Sequence, residues 1–467
     1  MSNPKQPEAE YDLSLKSNLD LRGRMLSNTG LLGGSRLLAA LMGVATLIIT
    51  ARVLSDNVAF GILLFVHAYM LFFAEIVSFQ IWQALIRFGS DELKSKNALR
   101  LGALIKTGLV IDFIAAFVAF GLAISLFGVF LWVQSFIGYD TAVSGPDSID
   151  PKTLKTMIIA YCSVILFRQT NVAVGIFRLF DRFSVLAMRA LVMPGIRLIG
   201  VLIASTQGWG LREFLMIWFA ASLAGYLVLQ IFAIRELAGR RLWPAIRRAK
   251  LCNTAEFPQL YPFLIKTNID STLNSVKLNF PTLAVMLVFG PVLFAVYKIA
   301  EEISRLLSRG IALFDQVLFP ELSRMAADLD LRMLSKTTAR AALGIGAVGF
   351  LIAAIVLIFG VELVKTAFND SFENAPRLAV LLLVSTSLVG IATPFYSAFY
   401  VLMRPGAAIW VRVIGTLSFI ILFFALADRF GLFSIGWAAI IGAAIEVVLV
   451  IVLTSWLIKK APESPHK

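Results

Sequence analysis

Apolar residues in this chain neither alternate with polar ones nor keep to narrow stripes. They run on in blocks of about 20 residues or more, separated by short polar segments, from residue 29 to residue 458. A block of that length matches a helix crossing a hydrocarbon core of about 30 Å. The runs predict helices near 29–53, 59–86, 101–133, 156–177, 185–205 and 213–234, then near 263–289, 293–319, 341–365, 378–402, 409–427 and 434–458. The fold class is therefore all-α integral membrane, with about 12 transmembrane helices in two six-helix lobes. Polar stretches mark the organisation: an N-terminal segment 1–28, an N-lobe 29–234, a linker 235–262, a C-lobe 263–458 and a tail 459–467. Residues 1–28 lack a short apolar core followed by small residues, so the first helix is expected to be retained.

Composition strengthens that reading: 59% of the 467 residues are apolar, 15% are charged and mean hydropathy is +0.84, against about 25% charged in soluble domains. Lys and Arg then set the orientation, because basic loops are retained in the cytoplasm. With the N-terminus inside, the inner segments hold 24 of these residues and the outer ones five, namely Lys152, Lys155, Arg212, Arg377 and Arg429. Both termini are expected in the cytoplasm. The net charge of +13 thus reads as topology and contact with anionic membrane lipids, and a nucleic acid is not an expected partner.

Several chemistries find no residues. Cys162 and Cys252 are too far apart in sequence and setting to suggest a disulfide or a zinc pattern, and no Walker-type phosphate loop occurs. His67 reads as a packed polar side chain and His466 as a tail residue. No catalytic residue, metal or cofactor is expected. The longest outer loop, 134–155, offers Asp140, Asp147 and Asp150 without His or Arg, which suits a solvated connector better than the site of a glycan polymerase or ligase.

Thirteen Lys and Arg remain inside the predicted spans, where each ionised group costs roughly 2.5 to 3.5 kcal/mol unless it faces a partner or a wet cavity. On the seventh helix, Lys266, Asp270, Asn274 and Lys277 fall on one arc. On the eighth, Lys298, Glu301, Glu302, Arg305 and Arg309 do the same. Arg36, Glu75 and Gln83 are the corresponding polar residues of the first two helices. A central cavity lined by helices one, two, seven and eight follows as an expectation. Some of these charges neutralise one another one turn apart: Lys266 with Asp270, Lys298 with Glu302, Glu301 with Arg305. Each stripe nonetheless keeps a surplus positive charge, which suits an anionic substrate, above all a diphosphate. Arg36, Lys266, Lys277, Arg305 and Arg309 are the candidate substrate contacts. Glu75, Asp270, Glu301 and Glu302 are the candidates for ion coupling.

Short segments add a resemblance. Gly175-Ile176-Phe177-Arg178-Leu179-Phe180-Asp181-Arg182 resembles the stretch after the fourth helix of Wzx-type polysaccharide flippases. Ala51-Arg52-Val53-Leu54 with Phe60-Gly61, Phe263-Leu264-Ile265-Lys266-Thr267-Asn268, Tyr297-Lys298-Ile299-Ala300 and Phe319-Pro320-Glu321-Leu322-Ser323 are similar to other segments of that family, so the resemblance spans about 28–325. It implies the multidrug/oligosaccharidyl-lipid/polysaccharide exporter superfamily: two six-helix lobes, alternating access, and drive by a proton or sodium gradient. The implied activity is flipping of a polyprenyl-diphosphate-linked oligosaccharide to the outer leaflet of the bacterial inner membrane, for lipopolysaccharide or exopolysaccharide, by an antiporter beside a polysaccharide polymerase. Where family members often carry an acid this chain has Pro281, which is expected to kink the seventh helix instead. A multidrug exporter and a lipid II exporter of the same superfamily are the alternatives. Drug exporters tend to line their cavity with acids, and lipid II exporters usually have about fourteen helices.

Overall fold

The computed structural model of the chain describes residues 11–12, 21–54, 56–136, 151–254, 256–327, 331–368, 370–402 and 405–460. Among them the regular elements are helices, and the chain forms two compact units, Met1–Leu283 and Ala284–Lys467.

The first unit opens with α1 (Leu21–Leu54). Its second traverse consists of two helices, α2 (Asn57–Ile76) and α3 (Ile81–Lys94). The helix α4 (Ala98–Phe136) follows. The fourth traverse is also interrupted: α5 (Pro151–Cys162) tightens into a 3-10 turn, Ser163–Phe167, and the chain becomes helical again at α6 (Asn171–Leu179). Then come α7 (Phe183–Gln207), α8 (Leu211–Gly239), the short α9 (Trp243–Arg248) and the start of α10 (Leu260–Ala327). The second unit holds the rest of α10, then α11 (Leu331–Ala367), α12 (Asn374–Val401), α13 (Pro405–Phe430) and α14 (Ser434–Lys460).

Ten helical stretches among the described residues are long and apolar enough to cross a membrane. Two of them, Leu278–Asp315 and Gly406–Trp456, each run across two predicted traverses, divided at Gly290 and at Gly431–Phe433, so every predicted traverse has its helix. Gly290 has φ 74° and ψ −176°, a conformation open essentially to glycine alone. The helical backbone breaks there and stays helical through Pro281, where the sequence suggested the kink. The compact units likewise divide inside α10 and not in the linker at 235–262. Hydrogen bonds between the second traverse and Ser271, Thr272 and Asn279 hold that part of α10 in the first unit.

Local signals start these helices where they do. Asp56 accepts a hydrogen bond from the Val58 amide at 2.8 Å at the head of α2, and Glu213 accepts one from the Gly210 amide at 3.0 Å at the head of α8. On α4, Ala115, Ala116, Ala119 and Ala123 are buried while Phe113, Ile114 and Phe117 are exposed. Small residues inward let helices approach closely, and large apolar ones outward suit lipid.

At 39 residues, α4 is about 58 Å long at 1.5 Å per residue, well beyond a core of about 30 Å. The linker docks on its overhang. The Lys106 ammonium donates to the Ala249 carbonyl at 2.7 Å, Thr107 accepts from the Cys252 amide at 2.8 Å, and Arg100 donates to the Glu256 carbonyl at 2.8 Å. These bonds leave Arg241, Arg247, Arg248 and Lys250 exposed, a basic surface of the kind that attracts anionic headgroups. Arg240 is the exception at 2% exposure: it pairs with Glu236 at 2.8 Å and lies 3.8 Å from the Phe180 ring.

Polar clusters within the two units

In the second unit the predicted charged stripe of α10 is a set of ion pairs. Glu301, 9% exposed, takes two cations: Lys298 and, at 2.9 Å, Arg305, while the Tyr297 hydroxyl donates to it at 3.2 Å. Arg309 pairs with Glu302 at 2.8 Å. The Glu301–Arg305 pair is as the sequence suggested; the Lys298–Glu302 pair is not. Lys298 turns to Glu301, one residue nearer, and Arg309 takes Glu302. Three bases therefore share two carboxylates, and Arg305 and Arg309 keep 41% and 46% of their side chains exposed. A half-exposed cation whose carboxylate is already shared has hydrogen-bond donors left for an anion.

Of the remaining candidates, Arg36 on α1 and Lys266 on α10 are exposed. Asp270 and Lys277 lie on α10, but their side chains, like that of Asn274, fall outside the described residues, as does most of the 134–155 loop with its three Asp.

Glu75 sits at the end of α2 and accepts from the Asn279 amide group at 3.1 Å, with Arg168 at 4.0 Å. That arginine belongs to a cluster that sequence reasoning missed. Asp112 on α4 is 3% exposed; its two oxygens accept from the Asn171 side chain at 3.0 Å and from the Val172 amide at 3.1 Å. Asn171 also donates to Ser78 at 3.1 Å, and the Arg168 guanidinium donates to the Ala74 carbonyl. A small cleft is lined by Ala74, Ser78, Asp112, Arg168 and Asn171. The sequence did carry a signal here. Arg168-Gln169-Thr170-Asn171 is a polar run inside an apolar span, and Asp112 is the one acid in another.

His67 has the packed role anticipated for it, within a second cluster. Its Nδ1 lies 2.8 Å from the Tyr161 hydroxyl and its ring stacks edge-on with Trp218. Arg197 lies 3.0 Å from His67 Nε2 and 3.2 Å from the Ser222 hydroxyl, with its guanidinium 4.4 Å from the Trp218 ring. Its contacts are neutral dipoles and an aromatic face.

Comparison with known proteins finds relatives in sequence and in fold. Against the inner membrane protein YghQ of Escherichia coli (strain K12) the chain is 24% identical over 357 residues, covering 75% of this chain and 94% of that protein. An inward-facing multidrug resistance MATE family transporter of the MOP superfamily superposes with a TM-score of 0.72 at 13% identity, covering 91% of this chain and 96% of that one. The lipid II flippase MurJ in an inward closed conformation superposes with a TM-score of 0.63 at 12% identity, covering 91% and 87%. At such identities these structures establish a shared fold. The family model described as polysaccharide biosynthesis protein matches residues 25–326, well over half of the chain, and the protein belongs to that family.

Proposed function

We propose that this protein flips a polyprenyl-diphosphate-linked oligosaccharide from the cytoplasmic to the outer leaflet of a bacterial inner membrane, by alternating access of two lobes, 29–234 and 263–458, about a cavity lined by helices one, two, seven and eight. The observation that carries the reading is the cation surplus on α10, where Lys298 and Arg305 share Glu301 and Arg309 stays half-exposed beside Glu302. A diphosphate carries the charge and acceptors to complete such a site. Membership of a polysaccharide biosynthesis family and the name of the Escherichia coli relative support the glycan and the membrane. In this reading Arg36, Lys266, Lys277, Arg305 and Arg309 contact the diphosphate and acidic sugars. Glu75, Asp270, Glu301 and Glu302 exchange protons or sodium as the cavity alternates, both termini face the cytoplasm, and a polysaccharide polymerase receives the product.

Lys277 gives the sharpest test. It is seven residues from Asp270, about 10.5 Å along the helix, and in this reading its charge is left for the substrate. In cells, Lys277→Ala should fold normally and accumulate lipid-linked oligosaccharide on the cytoplasmic face, and Lys277→Arg should keep part of the export because the charge survives. Normal export by the alanine variant, or loss of the protein from the membrane, would reject the contact. The fold is also that of a multidrug transporter and of a lipid II flippase, and the basic surplus weighs against a cationic drug as cargo.

A further inference from the structure

We infer that Asp112 is a proton-binding site of the transport cycle and that Asn171 relays its protonation to the break in the second traverse; this rests on the transporter reading above. The geometry supports the proton over a metal cation. Both carboxylate oxygens already accept from N–H donors, Asn171 Nδ2 at 3.0 Å and the Val172 amide at 3.1 Å, and donors turned toward a site repel a cation that needs oxygen ligands. A proton instead turns one oxygen into a hydroxyl, which gains a donor and becomes a weaker acceptor for the N–H facing it. The bond at the protonated oxygen is therefore weakened, and it reverses where its partner can turn. The Asn171 amide can reverse by turning its oxygen toward the new O–H, whereas the Val172 N–H is fixed in the backbone at the head of α6.

Reversal at Asn171 has a further effect, because the same Nδ2 donates to Ser78 at 3.1 Å. Ser78 lies in the non-helical stretch between α2 and α3. That stretch and its flanks are where α10 is fastened: Gln80 donates to Ser271 at 2.6 Å, Thr272 donates to the Ile76 carbonyl at 2.8 Å, and Asn279 donates to Glu75 at 3.1 Å. One short segment thus holds Asp112 and Asn171 on one side and α10 on the other, all within the first unit. Unwound backbone inside a membrane persists only where side chains satisfy it, so a change of partners at Asn171 alters what holds α10.

The charges around the carboxylate are few. Arg168 is the other charged residue lining the cleft; Glu75 from α2 lies 4.0 Å from that arginine, and Arg189 from α7 is near enough to repel it. Asp112 lies within the apolar run 101–133, which is long enough to cross the membrane. The cleft has room for about one or two waters beside the carboxyl.

The test uses purified full-length protein in lipid nanodiscs, with spin labels at Lys94→Cys on α3 and Ile265→Cys on α10, both exposed positions. The natural cysteines Cys162 and Cys252 are buried and stay unlabelled. Infrared difference spectra taken between about pH 8 and about pH 5 should show a protonated carboxyl band that Asp112→Asn abolishes. The label distance should shift with pH in the parent, and in Asp112→Asn it should stay at its low-pH value. Asn171→Ala should keep the carboxyl band and lose the distance shift, which separates the relay from the titration and carries the test even if Asp112→Asn does not fold. A carboxyl band surviving in Asp112→Asn, or a normal distance shift in Asn171→Ala, would overturn the inference. Neither readout involves a glycan, so a wrong substrate would leave both unchanged.

Discussion

Glu446 of α14 is 3% exposed, accepts from the Tyr396 hydroxyl at 2.8 Å, and has the Arg412 guanidinium 4.7 Å from that tyrosine ring. Truncating the acid removes the acceptor of a buried hydroxyl and leaves it only Arg412, at a cost of about 1 to 3 kcal/mol. Glu446→Ala should therefore lower the temperature at which the purified protein aggregates, and adding Tyr396→Phe should return part of the loss because that hydroxyl goes with it. Identical midpoints for the single and double variants would contradict this pairing. A second residue-scale expectation concerns the linker, where burial pushes the Cys252 thiol up, against a smaller opposing hydrogen bond from Thr107. The folded linker keeps that proton to higher pH than the unfolded chain. Its contribution to stability is complete below the ordinary thiol value of about 8.5 and is lost as pH climbs through the folded value. Maleimide labelling of Cys252 should lag behind that of an exposed cysteine until the pH is well above that value; equal rates at neutral pH would show that the thiol is not shielded.

The elements with most functional content are the two interrupted traverses. They pack through Gly175 of α6, where an added Cβ would meet the Leu85 Cβ at 3.0 Å and the Trp82 Cα at 3.1 Å. Backbone cannot yield as a side-chain tip can, so Gly175→Val should cost about 1 to 3 kcal/mol of stability through overpacking. Thermal melting of the variant checks it, and an unchanged midpoint would mean that α3 and α6 separate freely. The twelve traverses were legible in the sequence because bilayer thickness dictates apolar runs of about 20 residues. The interruptions at 77–80 and 168–170 were not, because what satisfies them comes from elsewhere: Asp112 on α4 bonds the Val172 amide, and Arg168 reaches across to the Ala74 carbonyl. Periodicity within one helix carries no trace of a partner on another. The α10 stripe was half legible for a related reason. Spacing put Lys298 within reach of both Glu301 and Glu302 and does not choose between them; Lys298 pairs with Glu301 and Arg309, two turns on, with Glu302.

Across the whole molecule, Lys and Arg concentrate in alternate connecting segments, as membrane topology favours in any multi-pass protein, and along α10 three bases meet two carboxylates. Family and fold leave the cargo open, since related folds serve a multidrug transporter and a lipid II flippase. The most direct measurement is therefore a flipping assay in liposomes holding the purified protein and a polyprenyl-diphosphate oligosaccharide on one leaflet, with a glycan-cleaving enzyme outside reporting arrival. The account expects transfer well above that of empty liposomes, strong loss in Lys277→Ala and partial recovery in Lys277→Arg. Transfer no faster than in empty liposomes, together with uptake or export of a cationic dye by the same preparation, would contradict it.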